Sequence, residues 1–160
     1  MDLTEIIQGK LWIGSAPGYD DIAGLTDRLG PEPVVLDLDR NLREEELCSE
    51  LAVGYDTRTP KVEDNYSPVP MSKLKLVTRI VEEHIQNGRP VYLHCSAGRG
   101  RSPTCAAAYL IQSGMLLSEA KDMVSSKRSV WAGKDATYAE SLVEFAKMRE
   151  IANLSDQDLI

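Results

Sequence analysis

A chain of 160 residues can hold one domain with a buried core and is too short for two ordinary ones. With 42% hydrophobic and 27% charged residues it reads as a soluble globular protein, and its formal charge of −7 argues against general binding to nucleic acid or to an acidic membrane surface. The opening "MDLTEIIQGKLWIG" carries early acids and no long apolar core, so it is not a signal peptide, and no stretch approaches the length of a membrane span. Three cysteines, Cys48, Cys95 and Cys105, are an odd number for a disulfide framework and point to reduced thiols in a cytoplasmic setting. No cysteine pair has metal-site spacing and only His84 and His94 offer imidazoles, so no metal or other cofactor is expected.

Short β-rich runs alternate with helical patterns, which predicts an α/β domain over 1–153 followed by a polar tail at 154–160. "KLWIG" reads as the first strand, and "DDIAGLTDRLG" as one short helix with Asp20 as N-cap. "PVVLDL" is a strand, and "LREEELCSELAVG" a helix closing at Gly54 that leaves Cys48 exposed on a charged surface. "YDTRTPKVEDNYSPVP" is loop chemistry apart from a possible short strand at its start. In "MSKLKLVTRIVEEHIQNG" the residues Leu74, Val77, Val81 and Ile85 recur at helical spacing, with His84 partly exposed.

"RPVYLHC" reads as a strand buried on both faces. "PTCAAAYLIQSG" is apolar nearly all round and predicts a central helix, with Pro103 in its first turn and Cys105 in the core. "SEAKDMVSSK" predicts another helix. A Thr137–Glu140 capping box opens the last one, "YAESLVEFAKMREIA", which is followed by a fraying polar tail after Asn153.

Between the buried strand and the buried helix stands "HCSAGRGRS", His94 to Ser102. The carboxyl end of a strand is where α/β folds bind ligands, and a helix N-terminus attracts anions. Gly98 and Gly100 let the backbone turn so that N–H groups of Ser96, Ala97, Gly98, Arg99 and Gly100 form an anion nest. Arg101 can hold two phosphate oxygens with its planar fork. The field that attracts phosphate also favours a thiolate, which makes Cys95 the candidate nucleophile. Ser102 is placed to donate its hydroxyl to that sulfur, and His94 to fix the shape of the loop.

This stretch resembles the H-C-x-x-G-x-x-R-[ST] signature of the cysteine-dependent protein tyrosine phosphatase superfamily. "VEDNYSPVP" is similar to the acid loop of its compact, dual-specificity-type members, in which an aspartate precedes an aromatic and a proline. Asp64, Tyr66 and Pro68 fit that pattern; Glu63 is the second choice for the acid, and Asp56 stands too early. The resemblance implies a single domain with a mostly parallel sheet of four or five strands flanked by helices. It also implies a two-step reaction, in which Cys95 attacks phosphorus while Asp64 protonates the leaving oxygen, and Asp64 then serves as base for the water that releases phosphate.

Looser similarities extend along "KLWIGSAP", "VVLDL" and "LLSEAKDMVSSKRSVW". Two departures stand out: Arg128 is followed by Ser129 where many members have proline, and Glu140 stands near the place of a water-positioning glutamine found in some members. Lys127, Arg128 and Trp131 are read first as a charged, solvated helix end; under the family layout they rim the pocket instead. Arg99 is either a solvated arginine or a contact for a second anionic group.

The expected substrate is a phosphorylated protein, with phosphoserine and phosphothreonine accepted beside phosphotyrosine, and without nucleic acid or stable membrane partners. A phosphoinositide phosphatase, a phosphate-binding module without turnover and, more remotely, a rhodanese-type sulfurtransferase are the alternatives. Pairing of Cys95 with Cys48 or Cys105 is left open, since sequence supplies no distance.

Overall fold

Period-two alternation in three buried strands builds two apolar layers. In β2 (Leu11–Gly14), β3 (Val34–Asp37) and β5 (Val91–His94) every residue is buried, as in sheets covered on both faces. Leu11, Ile13, Val34, Leu36, Val91 and Leu93 point into the larger core. Their neighbours Trp12, Val35 and Tyr92 point into the smaller one. The computed structural model describes residues 1–65, 67–131 and 136–158, with backbone alone at 136–137 and 153–158.

The sheet has five strands in the order β1-β2-β5-β3-β4. β1 (Leu3–Ile7) is antiparallel to β2, and β2, β5, β3 and β4 (Gly54–Tyr55) run parallel. On one face α1 (Tyr19–Ala23), α2 (Leu25–Leu29) and α3 (Leu42–Glu50) cover the smaller core through Ile22, Leu25, Leu29 and Cys48. On the other lie α4 (Met71–Gln86), α5 (Arg101–Gln112), α6 (Leu117–Lys127) and α7 (Ala136–Asp158). Helix α5 is their hub: it packs on α4, α6 and α7, and Arg101 to Ile111 are all buried. The predicted mostly parallel α/β sheet with flanking helices is therefore the observed architecture.

Several local expectations are corrected. An edge strand, β1, precedes "KLWIG"; only Ile6 of it is buried, so it lacks the apolar run that marks the inner strands. Gly24 divides the predicted first helix into α1 and α2, and Gly18 rather than Asp20 is the N-cap. Helix α3 ends at Glu50 with Leu51 as its C-cap, Ala52 then turns with a positive φ of 54°, and Gly54 belongs to β4. Cys48 is buried against Trp12 and Tyr92 in the smaller core, because α3 turns a narrow stripe toward the sheet. His84 is buried too, with Nε2 2.7 Å from Asp56 Oδ2. Thr137 lies within α7 instead of capping it, its side chain being outside the described residues, and the helix continues past Asn153 to Asp158.

Candidate active site

Strand β5 sets the site by its own alternation. His94, on the same side as Tyr92, faces α3, and Cys95 turns into the larger core beneath the first turn of α5. Cys95 Sγ lies 3.4 Å from Ser102 Oγ, and both residues are buried. All three cysteines are free thiols. Burial pushes the Cys105 thiol up to about 12, helped by negative charge at Cys95, in keeping with its place in the core.

Between His94 and Thr104 the chain forms a tight loop in which the carbonyl oxygens of Cys95, Ser96, Ala97, Gly98 and Gly100 each accept a hydrogen bond. His94 Nδ1–H donates to Cys95 O (2.9 Å) and Ala16 N–H to Ser96 O (2.8 Å). Arg128 donates from Nη2 to Ala97 O (3.3 Å) and from Nε to Gly98 O (2.8 Å), and Thr104 donates to Gly100 O from its N–H and its hydroxyl. Across a trans peptide, C=O and the next N–H point opposite ways. Holding these oxygens outward therefore turns the N–H groups of Ser96, Ala97, Gly98, Arg99 and Arg101 toward the other side of the loop. Gly98 has φ +67°, and a Cβ there would meet Arg128 Nη2 at 2.5 Å and Gly14 C at 2.6 Å. At Gly100 a Cβ would strike the Tyr138 ring at 2.8 Å.

The cavity over this loop has a volume of 290 Å³ and is lined by Asp64, Cys95, Arg99, Arg101, Val130 and Tyr138 together with the loop backbone. Arg101 is only 3% exposed. Its Nη1 donates to Val62 O (2.8 Å) and to Asp39 Oδ1, and Nη2 lies 3.7 Å from Asp64 Oδ2. Burial works against its charge, but the hydrogen bond it donates to Asp39 and the surrounding negative charges outweigh it and hold the proton more firmly than in water. Asp64 is 59% exposed at the cavity mouth. Glu63 lines a different recess, with Asn65, Ser67 and Lys73, and Asp56 is at the far sheet edge with Arg58 and His84. Tyr66, the aromatic of the acid-loop pattern, lies outside the described residues.

The rim differs from the expected one. Lys127 is exposed, whereas Arg128 and Trp131 are buried as supports; Trp131 Nε1–H donates to Thr104 Oγ1 (3.2 Å). Val130, exposed beside them, is the rim residue. Glu140 faces solvent, and its neighbour Ser141 turns inward to accept a hydrogen bond from Val69 N–H at 2.7 Å. Arg99 is exposed and makes no hydrogen bond or ion pair with the described residues.

Sequence reasoning missed four supports of this site: Asp39, Glu44, Tyr138 and Ser141. Glu44 Oε2 lies 2.5 Å from His94 Nε2, with Asp37 Oδ1 3.9 Å away, so three potential metal ligands cluster behind the cysteine. The Asp37 oxygens and both His94 nitrogens already have partners: Asp37 accepts from Asp39 N–H, Asn41 N–H and Tyr55 Oη–H. The cluster is a hydrogen-bonded brace. One signal for Glu44 was present: with Leu47, Cys48 and Leu51 it falls on a single stripe of α3, the stripe that faces the sheet.

The chain matches the family model "Dual specificity phosphatase, catalytic domain" over residues 34–148. It is 32% identical over 101 residues to 123R of Invertebrate iridescent virus 6, a proposed tyrosine phosphatase, covering 62% of this chain and 70% of the viral one. Among solved structures, PTPMT1 in complex with PI(5)P superposes with a TM-score of 0.80 at 21% identity, covering 94% of this chain and 98% of that one. Tk-PTP in its active form does so with a TM-score of 0.79 at 22% identity, covering 91% and 97%. Family match, viral relative and shared fold agree with the cysteine loop at the end of β5: this chain belongs to the dual specificity phosphatase family of cysteine-based phosphatases.

Proposed function

We propose that the chain hydrolyses phosphotyrosine, and phosphoserine and phosphothreonine as well, in protein substrates through a phosphocysteine on Cys95. The observation that carries this reading is the shared cavity: Cys95, Arg101 and Asp64 line one 290 Å³ pocket. Phosphate settles among the inward N–H groups from Ser96 to Arg101. Asp39 and Val62 hold Nη1 of Arg101, which leaves Nε and Nη2 to fork the phosphate oxygens.

Cys95 attacks phosphorus, the P–O bond to the leaving group breaks, and Asp64 delivers a proton to the departing oxygen. Water then attacks the phosphocysteine and loses a proton to Asp64; the S–P bond breaks and phosphate leaves. Ser102, 3.4 Å from the sulfur, donates to it as it departs. His94 orients the loop through the Cys95 carbonyl. The Ser96–Gly100 backbone supplies binding with Arg101, and no metal enters the steps.

A second reading takes a phosphoinositide as substrate. Arg99 favours it, being exposed at the pocket without a hydrogen bond or ion pair to the described residues, and the similar PTPMT1 structure holds PI(5)P. Turnover in excess chelator against matched phosphotyrosine, phosphothreonine and phosphoinositide substrates decides between them. The proposed reading expects phosphopeptides to lead in kcat/KM; a lead for the phosphoinositide, lost in Arg99→Ala, overturns it.

A further inference from the structure

A buried chain of hydrogen bonds runs from α3 to the cysteine. His94 Nδ1 sits 2.9 Å from the Cys95 carbonyl oxygen, which can only accept, so Nδ1 carries a proton. Its other nitrogen, Nε2, sits 2.5 Å from Glu44 Oε2. A neutral ring with its proton on Nδ1 presents a lone pair at Nε2, and an ionised carboxylate presents another. Two acceptors do not approach that closely, so a further proton lies between them.

We propose that Glu44 is a positioning residue for phosphoryl transfer: it keeps a proton on His94 Nε2, so that an imidazolium donates to the Cys95 carbonyl and fixes the cysteine in the loop. This inference rests on the reading of Cys95 as nucleophile. The pair is neutral overall, yet its positive end lies on the cysteine side and its negative end behind, in α3. That orientation stabilises negative charge gathered in the loop, and burial keeps water from screening it.

The groups packed around the pair support that arrangement. Asp37 from β3 lies 3.9 Å from Nε2, and it accepts from two backbone N–H groups and Tyr55 of β4. Asp39, in the turn after β3, adds negative potential, and Tyr92 of β5 meets the His94 ring edge-on with centroids 5.3 Å apart. Cys48, one turn along α3, is pushed up to about 12 by burial and then by Glu44 and Asp37, so it does not compete for the proton. Burial raises the Glu44 carboxyl above its usual range, with the hydrogen bond to His94 pulling back only in part. Burial also opposes charge on His94, but Glu44 and the Cys95 carbonyl outweigh it, and the ring holds its proton above the ordinary value.

Glu44→Gln tests the idea because its amide still donates to Nε2 of a neutral ring: orientation stays and the extra proton goes. The chain has two histidines, so ¹⁵N-histidine labelling yields two rings, with His84→Gln assigning them. At about pH 8, above the ordinary imidazole value of about 6.5, wild-type His94 is expected to be protonated on both nitrogens. The Gln variant is expected on Nδ1 alone. Its kcat on p-nitrophenyl phosphate should fall about tenfold and its vanadate affinity with it, with KM changed less than about twofold.

A wild-type ring with a bare Nε2 at that pH overturns the proposal, even if the variant fails to fold. So does a folded Glu44→Gln enzyme with unchanged kcat. Cys95→Ser in the same assay separates the two readings: if turnover survives that change, the nucleophile assignment has failed, while the labelled ring still reports the proton.

Discussion

Arg128 Nε donates to the carbonyl of Gly98 across 2.8 Å of buried space, and the same guanidinium reaches Ala97 O, Thr4 and Asp2. One side chain from the end of α6 thus ties β1 and the chain start to the middle of the cysteine loop. Lysine can replace its charge without replacing its fork. Arg128→Lys should therefore lose about tenfold or more in kcat/KM and bind vanadate more weakly, since loop N–H groups lose their aim. Steady-state kinetics with vanadate titration check this; unchanged values of both would remove Arg128 from the brace.

Asp64 and Glu63 stand side by side in sequence and line different recesses. Asp64→Asn should lower kcat on phosphoserine peptides by about 10²–10⁴ and much less on p-nitrophenyl phosphate, whose leaving group needs little protonation. Glu63→Gln should leave both rates near wild type. The opposite ranking in the two variants would move the acid to Glu63.

Ser141 accepts from Val69 N–H at 2.7 Å, pinning the carboxyl end of the loop that contains Asp64 to α7. Ser141→Ala leaves a buried N–H unpaired, at a cost of about 1–3 kcal/mol. The expected result is a lower Tm together with a fall in kcat larger than any change in KM, because the loop that carries Asp64 is less well placed. Equal Tm and kcat in the variant would show that the contact does not hold the loop.

The far edge of the sheet makes a prediction about pH. Burial works against charge on Asp56, yet hydrogen bonds from Arg58 and His84 outweigh it and hold its carboxyl well below the usual carboxylate range. A carboxyl depressed in the folded state stabilises the fold above its unfolded value of about 4 and loses that contribution as pH falls toward the folded value. Thermal unfolding of the wild type from pH 6 downward should show that acid loss. Asp56→Asn should be less stable at pH 6 and flatter below about pH 4; parallel curves would contradict it.

The inner strands and the signature loop were legible because each carries a local mark: apolar runs opening Val34–Asp37 and Val91–His94, and glycines and arginines in fixed order after Cys95. What was not legible depends on packing between distant segments. Arg128 looked like a solvated helix end, since nothing near it in sequence shows that Gly98 waits thirty residues away. Glu44 sits among three consecutive glutamates; its stripe with Leu47 and Cys48 marks one face of α3, but only the register of α3 against the sheet brings that face to His94. β1 escaped notice because an edge strand buries little, and Gly24 broke a helix whose apolar pattern ran on through it.

Trapping the covalent intermediate tests the central claim most directly. Wild-type protein mixed with excess substrate and quenched in acid within the first turnovers should gain the mass of a phosphoryl group, located by peptide mass spectrometry to Cys95. Cys95→Ser should show no such adduct and no turnover while still binding vanadate. A phosphoryl group on another residue, or metal-free turnover that persists in Cys95→Ser, would contradict the account.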